Sequence, residues 1–366
     1  MKKVMLVFGT RPEAIKMAPI VKELKSRKGI KTIVCVTAQH RQMLDQVLDV
    51  FDIVPDYDLD IMKKSQTLAY ITSSVLSKIN EIIELEKPDC MMVHGDTTTT
   101  FTAALAAFYN QVKIVHVEAG LRTYNKYSPY PEEINRQMVG LVADFNFCPT
   151  NMTRDNLLRE GKDEKSIFVT GNTAIDTLKY TLSETYRDPY TDWLGHDRLI
   201  LLTAHRRENL GQPMERIFAA IKDLLASYDD IKVIYPVHKN PRIIDLANRE
   251  FEGCDRVRLI EPLDVVSFHN LINRSYMVMT DSGGIQEEAP SMDKPVLVLR
   301  NETERKEGLE AGTLLLVGTD REKIVTWAKK LLDDKDLYNK MAQAQNPYGD
   351  GRASQRIVDI IERGTF

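Results

Sequence analysis

The chain has 366 residues, 49 Lys and Arg against 53 Asp and Glu, and a formal net charge of −4. That length exceeds what one hydrophobic core usually supports, so two domains are expected, and the mixed, slightly acidic charge excludes a nucleic-acid binder that relies on a basic face. No run of about 18 apolar residues is present, and the start "MKKVMLVFGTRPE" is too soon interrupted for a signal peptide, so no membrane insertion and a cytoplasmic protein are expected.

The first half alternates β-branched runs with amphipathic stretches. Strands are predicted at Val4–Phe8, Thr32–Val36, Cys90–His94, Ile114–Val117, Phe145–Cys148 and Ile167–Val169. The intervening "IKMAPIVKELKSR", "LAYITSSVLSKINEIIELE" and "TTTTFTAALAAFYN" have helical periodicity, which implies βαβ units on a parallel sheet. A polar, proline-bearing stretch, "SETYRDPYTDWLGHDR", then breaks the pattern, and a second alternation follows with strands near Leu199–Thr203, Lys232–Pro236, Val257–Leu259, Met277–Thr280, Val296–Leu299 and Leu314–Val317. The fold class is therefore α/β, with two Rossmann-like doubly wound domains facing a central cleft. The domains are read as residues 1–183 and 184–352, with a last helix from Ala353, in 353–366, returning to the first domain. Cys35, Cys90 and Cys148 lie in or beside apolar runs and Cys254 in a polar segment, with no C-x-x-C pair, so neither zinc nor a disulfide framework is indicated.

The loops after the strands are rich in charge. Parallel strands are normally apolar throughout, so charges collected at their C-terminal ends suggest a site. The first, "GTRPE", has one glycine where a dinucleotide fold would have three, followed by Arg11. "VHGDTTTT" and "HVEAGLRT" each place a carboxylate just past a strand, Asp96 and Glu118. Asp96 is also a good N-cap for a helix near Thr98, whereas Glu118 has no obvious helix to cap. In "YPEEINRQ", Glu132 and Arg136 stand four apart, the spacing of an ion pair on one helix face. Three carboxylates from three loops nevertheless resemble an acid–base set.

In the second half, "TAHRREN" ends a strand with His205, Arg206 and Arg207, three potential cations in a row that favour an anionic ligand over a solvated surface. "TDSGGIQEEAP" opens a helix at Ser282, Gly283 and Gly284, whose backbone N–H groups suit a diphosphate, with Glu288 a turn further on for ribose hydroxyls. The "LRNETER" loop offers Arg300 and Arg305 to the same edge. His40 and His238 are weaker signals, His238 balanced between structure and substrate contact.

Taken in order, "FGTRPEAIKMAP", "HGDTTTT", "VEAGLRT", "PEEINRQ", "AHRREN", "DSGGIQEEAP", "GTD" at 318–320 and "NPYGDG" closely resemble bacterial, non-hydrolysing UDP-N-acetylglucosamine 2-epimerases, over essentially the whole chain. Departures are small: "KKSQTL", where a glycine often precedes the Gln, and Lys306 in "TERKE", where a proline is common. The resemblance implies a glycosyltransferase-B-like architecture, no added cofactor, no metal, a homodimer, and a UDP-N-acetylhexosamine as substrate. Arg11 and Lys16 would reach a diphosphate whose nucleoside is held by Phe268, His238, Ser282, Gly283 and Glu288 of the second domain. Asp96, Glu118 and Glu132 would supply acid–base groups, their sugar faces unassigned, while His205 and Arg206 steady the departing phosphate. The family further implies a UDP-N-acetylglucosamine effector in a second pocket lined by Gln39, Gln42, Glu132 and Arg206. Alternatives are a hydrolysing epimerase releasing UDP and free N-acetylmannosamine, a UDP-sugar glycosyltransferase, and a nucleotide-sugar sensor without turnover.

Overall fold

The computed structural model describes residues 1–39, 41–63 and 65–364, so His40 lies outside the described residues, as does the side chain of Gln42. The chain parts into two units, residues 1–180 with 348–366, and residues 181–347. Among the described residues no helix is long and apolar enough to cross a membrane.

The first unit is built on strands β1 (Lys2–Phe8), β2 (Ile30–Val36), β3 (Tyr57–Asp58), β4 (Cys90–His94), β5 (Lys113–Val117), β6 (Phe145–Cys148) and β7 (Ile167–Val169). They form one parallel sheet in the order β3-β2-β1-β4-β5-β6-β7. The second unit has β8 (Arg198–Thr203), β9 (Ile231–Pro236), β10 (Val257–Ile260), β11 (Met277–Thr280), β12 (Val296–Val298) and β13 (Leu314–Leu316), ordered β10-β9-β8-β11-β12-β13. In each sheet the winding reverses once, between β1 and β4 and between β8 and β11. A doubly wound sheet opens its ligand crevice at the carboxyl ends of the strands there. Only β3 has no counterpart in the sequence reading; it is two residues long, paired to Cys35 and Val36, and too short to show a pattern.

The apolar runs become strands because both sheet faces are covered. On one face of the first sheet, Met5, Val7, Ile33, Cys35, Met91 and Val93 are buried with Ile71, Val75 and Ile79 of the helix Leu68–Glu86 and Ala103 and Ala107 of the helix Thr98–Tyr109. Each large side chain buried in this way contributes about 1.5–3 kcal/mol. The small alanines let their helix sit close to its neighbour.

The last helix, Ala353–Arg363, belongs to the first unit, where Ile357, Val358 and Ile361 are buried and it packs on the helix Arg11–Ser26. It has no side-chain cap of its own. Instead Asp176 accepts from the backbone N–H groups of Ala353 (3.1 Å) and Ser354 (2.7 Å), and Lys2 Nζ donates to the carbonyls of Ile361 (2.8 Å) and Gly364 (2.5 Å) at the other end. A buried N–H left without a partner costs about 1–3 kcal/mol, so Asp176 is what allows this helix end to be covered. The turn before it also joins the first unit, because the Tyr348 carbonyl accepts from Asn172 N–H at 2.6 Å. Thr181 and Ser183 meet His269 and Asn270 of the second unit. Both crossings thus fall a few residues before the boundaries expected at 183 and 352.

Candidate active site

In the first unit the turn after β1 is tied to the turn after β4 by Glu13, a residue sequence reasoning passed over. Its Oε2 accepts from the N–H groups of Gly9 (3.1 Å) and Thr10 (2.8 Å), and its Oε1 from the hydroxyls of Thr97 (2.8 Å) and Thr100 (3.0 Å). Burial pushes this carboxyl up while the hydrogen bonds pull it back. The single glycine of the turn is required by close approach: a Cβ on Gly9 would stand 1.9 Å from Thr37 Oγ1.

Asp96 follows β4, but it is not the helix cap. Thr97 occupies that position, accepting from Thr100 N–H at 3.1 Å. The Asp96 carboxylate is instead bonded by Arg136 Nη2 at 2.5 Å, and its carbonyl accepts from Asn135 Nδ2 at 2.9 Å. This corrects the expected Glu132–Arg136 pair. The helix Glu132–Val142 turns Glu133 and Arg136 inward, Arg136 lies 3.5 Å from Glu133, and Glu132 makes no ion pair among the described residues. Glu133, fully buried, is itself spent on the N–H groups of Thr123 and Tyr124, both at 2.9 Å. Burial raises the Asp96 carboxyl above its ordinary range; the Arg136 guanidinium opposes this, and the charges of Glu118 and Glu132 add to it.

Glu118, the first residue after β5, has φ +59°, the left-handed region that costs a residue other than glycine about 1–2 kcal/mol. Such strain persists only where the surroundings fix it, and it concentrates at functional sites. Here Lys16 Nζ and Asn172 Nδ2 (3.1 Å) both bond Oε1, while Oε2 lies 3.4 Å from His94 Nε2. His94 is buried, and burial lowers it to about 4 despite the nearby Glu118, so the imidazole is neutral at pH 7. Behind it, His116 places Nε2 2.8 Å from the Gly95 carbonyl, which can only accept; burial lowers this imidazole to about 3. Lys16 thus bonds Glu118, where the resemblance placed it at a diphosphate. Arg11 opens its helix half-buried. Gln39 Oε1 accepts from Thr99 Oγ1 at 3.0 Å.

In the second unit the strands at the reversal are joined at their tips: Thr203 and Thr280 are paired, with hydroxyls 2.6 Å apart. The next residue, Asp281, is fully buried. Its Oδ2 accepts from the N–H groups of His205 and Arg206, both at 2.8 Å, and from Asn209 Nδ2 at 2.9 Å. The His205 ring is carried outward, 41% exposed, and stacks on His238 with centroids 5.6 Å apart. Partial burial lowers the His205 imidazole, the Asp281 charge opposes that, and His238 and Arg206 reinforce it. His238 Nδ1 accepts from Asn240 N–H at 3.1 Å, so this ring has both a structural bond and a face beside His205.

Ser282 N–H is taken by Thr280 Oγ1 at 2.9 Å, and a short helix, Gly283–Glu288, begins after it. The Arg305 guanidinium lies over Gly283, where a Cβ would meet Cζ at 3.0 Å, and its Nε donates to Glu287 at 2.9 Å; Gly284 follows in the same turn. Arg300 is engaged with Glu208 (3.1 Å) and Glu304 (3.2 Å). Glu288 lies 3.5 Å from Nε2 of the buried His269, whose Nδ1 is bonded to Thr181. Phe268, next to it on the helix Val265–Arg274, is partly exposed. The structure thus gathers Lys16, Asp96, Glu118 and Arg136 at one set of strand ends. It gathers His205, Arg206 and His238 with Ser282 to Gly284 at another.

Two doubly wound parallel sheets with ionisable side chains collected at their strand ends define a two-domain α/β enzyme. The family model for UDP-N-acetylglucosamine 2-epimerase matches residues 22–362. Over 359 residues the chain is 61% identical to a UDP-N-acetylglucosamine 2-epimerase of Bacillus subtilis, covering 98% of this chain and 94% of that one. A crystal structure of a UDP-N-acetylglucosamine 2-epimerase, 59% identical, superposes with a TM-score of 0.92 over 99% of this chain and 96% of that chain. The Neisseria meningitidis enzyme bound to UDP-N-acetylglucosamine, 45% identical, does so with a TM-score of 0.89 over 99% and 100%. The chain belongs to the UDP-N-acetylglucosamine 2-epimerase family, whose members are isomerases and share this two-domain α/β fold.

Proposed function

We propose that this protein reversibly inverts C2 of UDP-N-acetylglucosamine to give UDP-N-acetylmannosamine, without hydrolysis, by eliminating and re-adding UDP. The substrate reading is supported by the ligand of the Neisseria relative. The observation that carries the reaction is the pair of carboxyl groups in unlike settings. Glu118 is strained in place and bonded by an ammonium group, while Asp96 is driven by burial toward its proton-bearing form. Two carboxyl groups held in such unlike environments suit a division of acid and base roles.

The chemistry explains why both are needed. The C2 proton is not α to a carbonyl, so a carboxylate alone would remove it very slowly. If the C1–O bond breaks first or concurrently, its electron pair leaves with UDP and the electron-poor C1 acidifies the neighbouring C–H. One carboxylate then takes the proton and a C1–C2 double bond forms, giving 2-acetamidoglucal. Delivery of a proton to the other face of C2, with return of a UDP phosphate oxygen to C1, yields the epimer. His205, Arg206 and the amides of Gly283 and Gly284 suit the diphosphate as it gains charge. Turnover in deuterium oxide is expected to place deuterium at C2 of both epimers, read by proton NMR. UDP plus free N-acetylmannosamine accumulating in place of UDP-N-acetylmannosamine would leave the hydrolysing reading in its place.

We also propose a homodimer. Phe108 and Tyr109 on one helix, and Met138 and Leu141 on its neighbour, are 55%, 63%, 40% and 76% exposed, an unusual grouping of large apolar side chains for a lone chain. Light scattering should give twice the chain mass of 41.8 kDa, and Leu141→Lys should halve it; a wild-type mass of one chain removes the claim. The cytoplasmic setting is supported by four free cysteines, three of them buried, which suit a reducing compartment.

A further inference from the structure

Asp281 bonds through one oxygen only. Oδ2 receives three hydrogen bonds, whereas Oδ1 is equally buried, has no hydrogen-bond partner among the described residues, and stands 4.0 Å from His205 Nε2. A buried carboxylate oxygen without a donor is costly and calls for a reason. The groups facing the His205 ring are Asp281 from the end of β11, His238 from the end of β9, and Arg206 from its own loop. Two of these three, His238 and Arg206, disfavour a second positive charge on the ring.

We propose that Asp281 is a positioning residue for the leaving-group site, fixing the His205 loop through Oδ2 and holding His205 as the imidazolium through Oδ1 when a diphosphate is bound. The inference rests on the reading that this unit takes the diphosphate of UDP. The anion tips the balance: imidazolium then lies between diphosphate and carboxylate, and a small rotation of the ring closes the 4.0 Å gap to a charge-assisted hydrogen bond. The proton comes from solvent. UDP binding therefore takes up a proton at neutral pH, and Asp281 sets how much.

Calorimetric titration of the full-length protein with UDP, in buffers of different ionisation enthalpy at about pH 7.5, reads the uptake directly. Wild type is expected to take up a substantial fraction of one proton, His205→Gln none, and His238→Gln a measurable share, because His205 is retained. Asp281→Asn keeps an acceptor for the loop but loses the charge. It should weaken UDP binding roughly tenfold to a hundredfold at about pH 7.5, the range for a hydrogen bond to a charged group, and less at about pH 5.5, where a roughly hundredfold higher proton concentration favours the imidazolium. Tight UDP binding by wild type without proton uptake overturns the proposal and leaves the UDP reading intact. So does an Asp281→Asn loss that is equal at both pH values, which a merely structural role would give. No UDP binding by wild type removes both. If Asp281→Asn does not fold, the wild-type, His205→Gln and His238→Gln uptakes still decide.

Discussion

Glu118→Gln is expected to lower turnover a hundredfold or more, the scale of an acid–base group, while affinity for UDP hardly changes. The substitution is nearly isosteric, and its carbonyl can still accept from Lys16 and Asn172, so the geometry at Oε1 is retained while the charge is lost. A group that acts on the C2 proton contributes in the transition state and not to nucleotide binding, so kcat should fall with KM nearly constant. Incorporation of deuterium at C2 should fall in parallel. Wild-type turnover would leave Glu118 as no more than a partner for Lys16.

Acid should begin to destabilise the first unit above the range in which ordinary carboxylates titrate. His94 and His116 take up protons near 6.5 when unfolded, but only at about 4 and about 3 in the fold. Between those values the unfolded chain binds more protons, so stability falls as pH falls. The combined loss is on the order of 5 kcal/mol by pH ~4. Glu13, Asp96 and Asp176 act in the opposite sense, because burial raises their carboxyls and the folded state takes up those protons first. Their offset opposes the histidine loss, so the measured slope is the difference between the two, and substitution isolates the histidine part. Denaturant titrations at about pH 7.5, 5.5 and 4.5 should show it, and His116→Asn should flatten it. Stability constant between about pH 7 and 5 in both wild type and His116→Asn would mean that the His116 imidazole is not held neutral by the fold.

The strands were legible because parallel strands covered on both faces are written as short unbroken apolar runs. Cys90–His94, Phe145–Cys148, Ile167–Val169 and Met277–Thr280 coincide end to end with those runs. What resisted was orientation. Glu132 and Arg136 have the spacing of a pair, but which helix face turns inward is decided by packing against the end of β4, and that turned Arg136 to Asp96. Asp281 was in view in "TDSGG" and passed over, since a carboxylate before a serine and two glycines reads as turn chemistry until its complete burial is seen. Glu13 stands near the start of its helix and accepts from the N–H groups of Gly9 and Thr10. Its second role, accepting from two threonines more than eighty positions away, depends on the adjacency of β1 and β4, which no local pattern encodes.

The anchoring of the last helix bears on how the chain is made. A ribosome delivers residues in order, and N-terminal units commonly fold while the rest is still being synthesised. Here the second unit, residues 181–347, is complete in the chain before Ala353–Arg363 exists, yet Lys2, Arg27 and Asp176 all wait for partners in that last segment. Until it emerges, the side of the helix Arg11–Ser26 on which this last helix packs stays uncovered. The first part to be synthesised is therefore the last to be finished, and a nascent chain stalled before residue 353 carries a closed second unit beside an open first one.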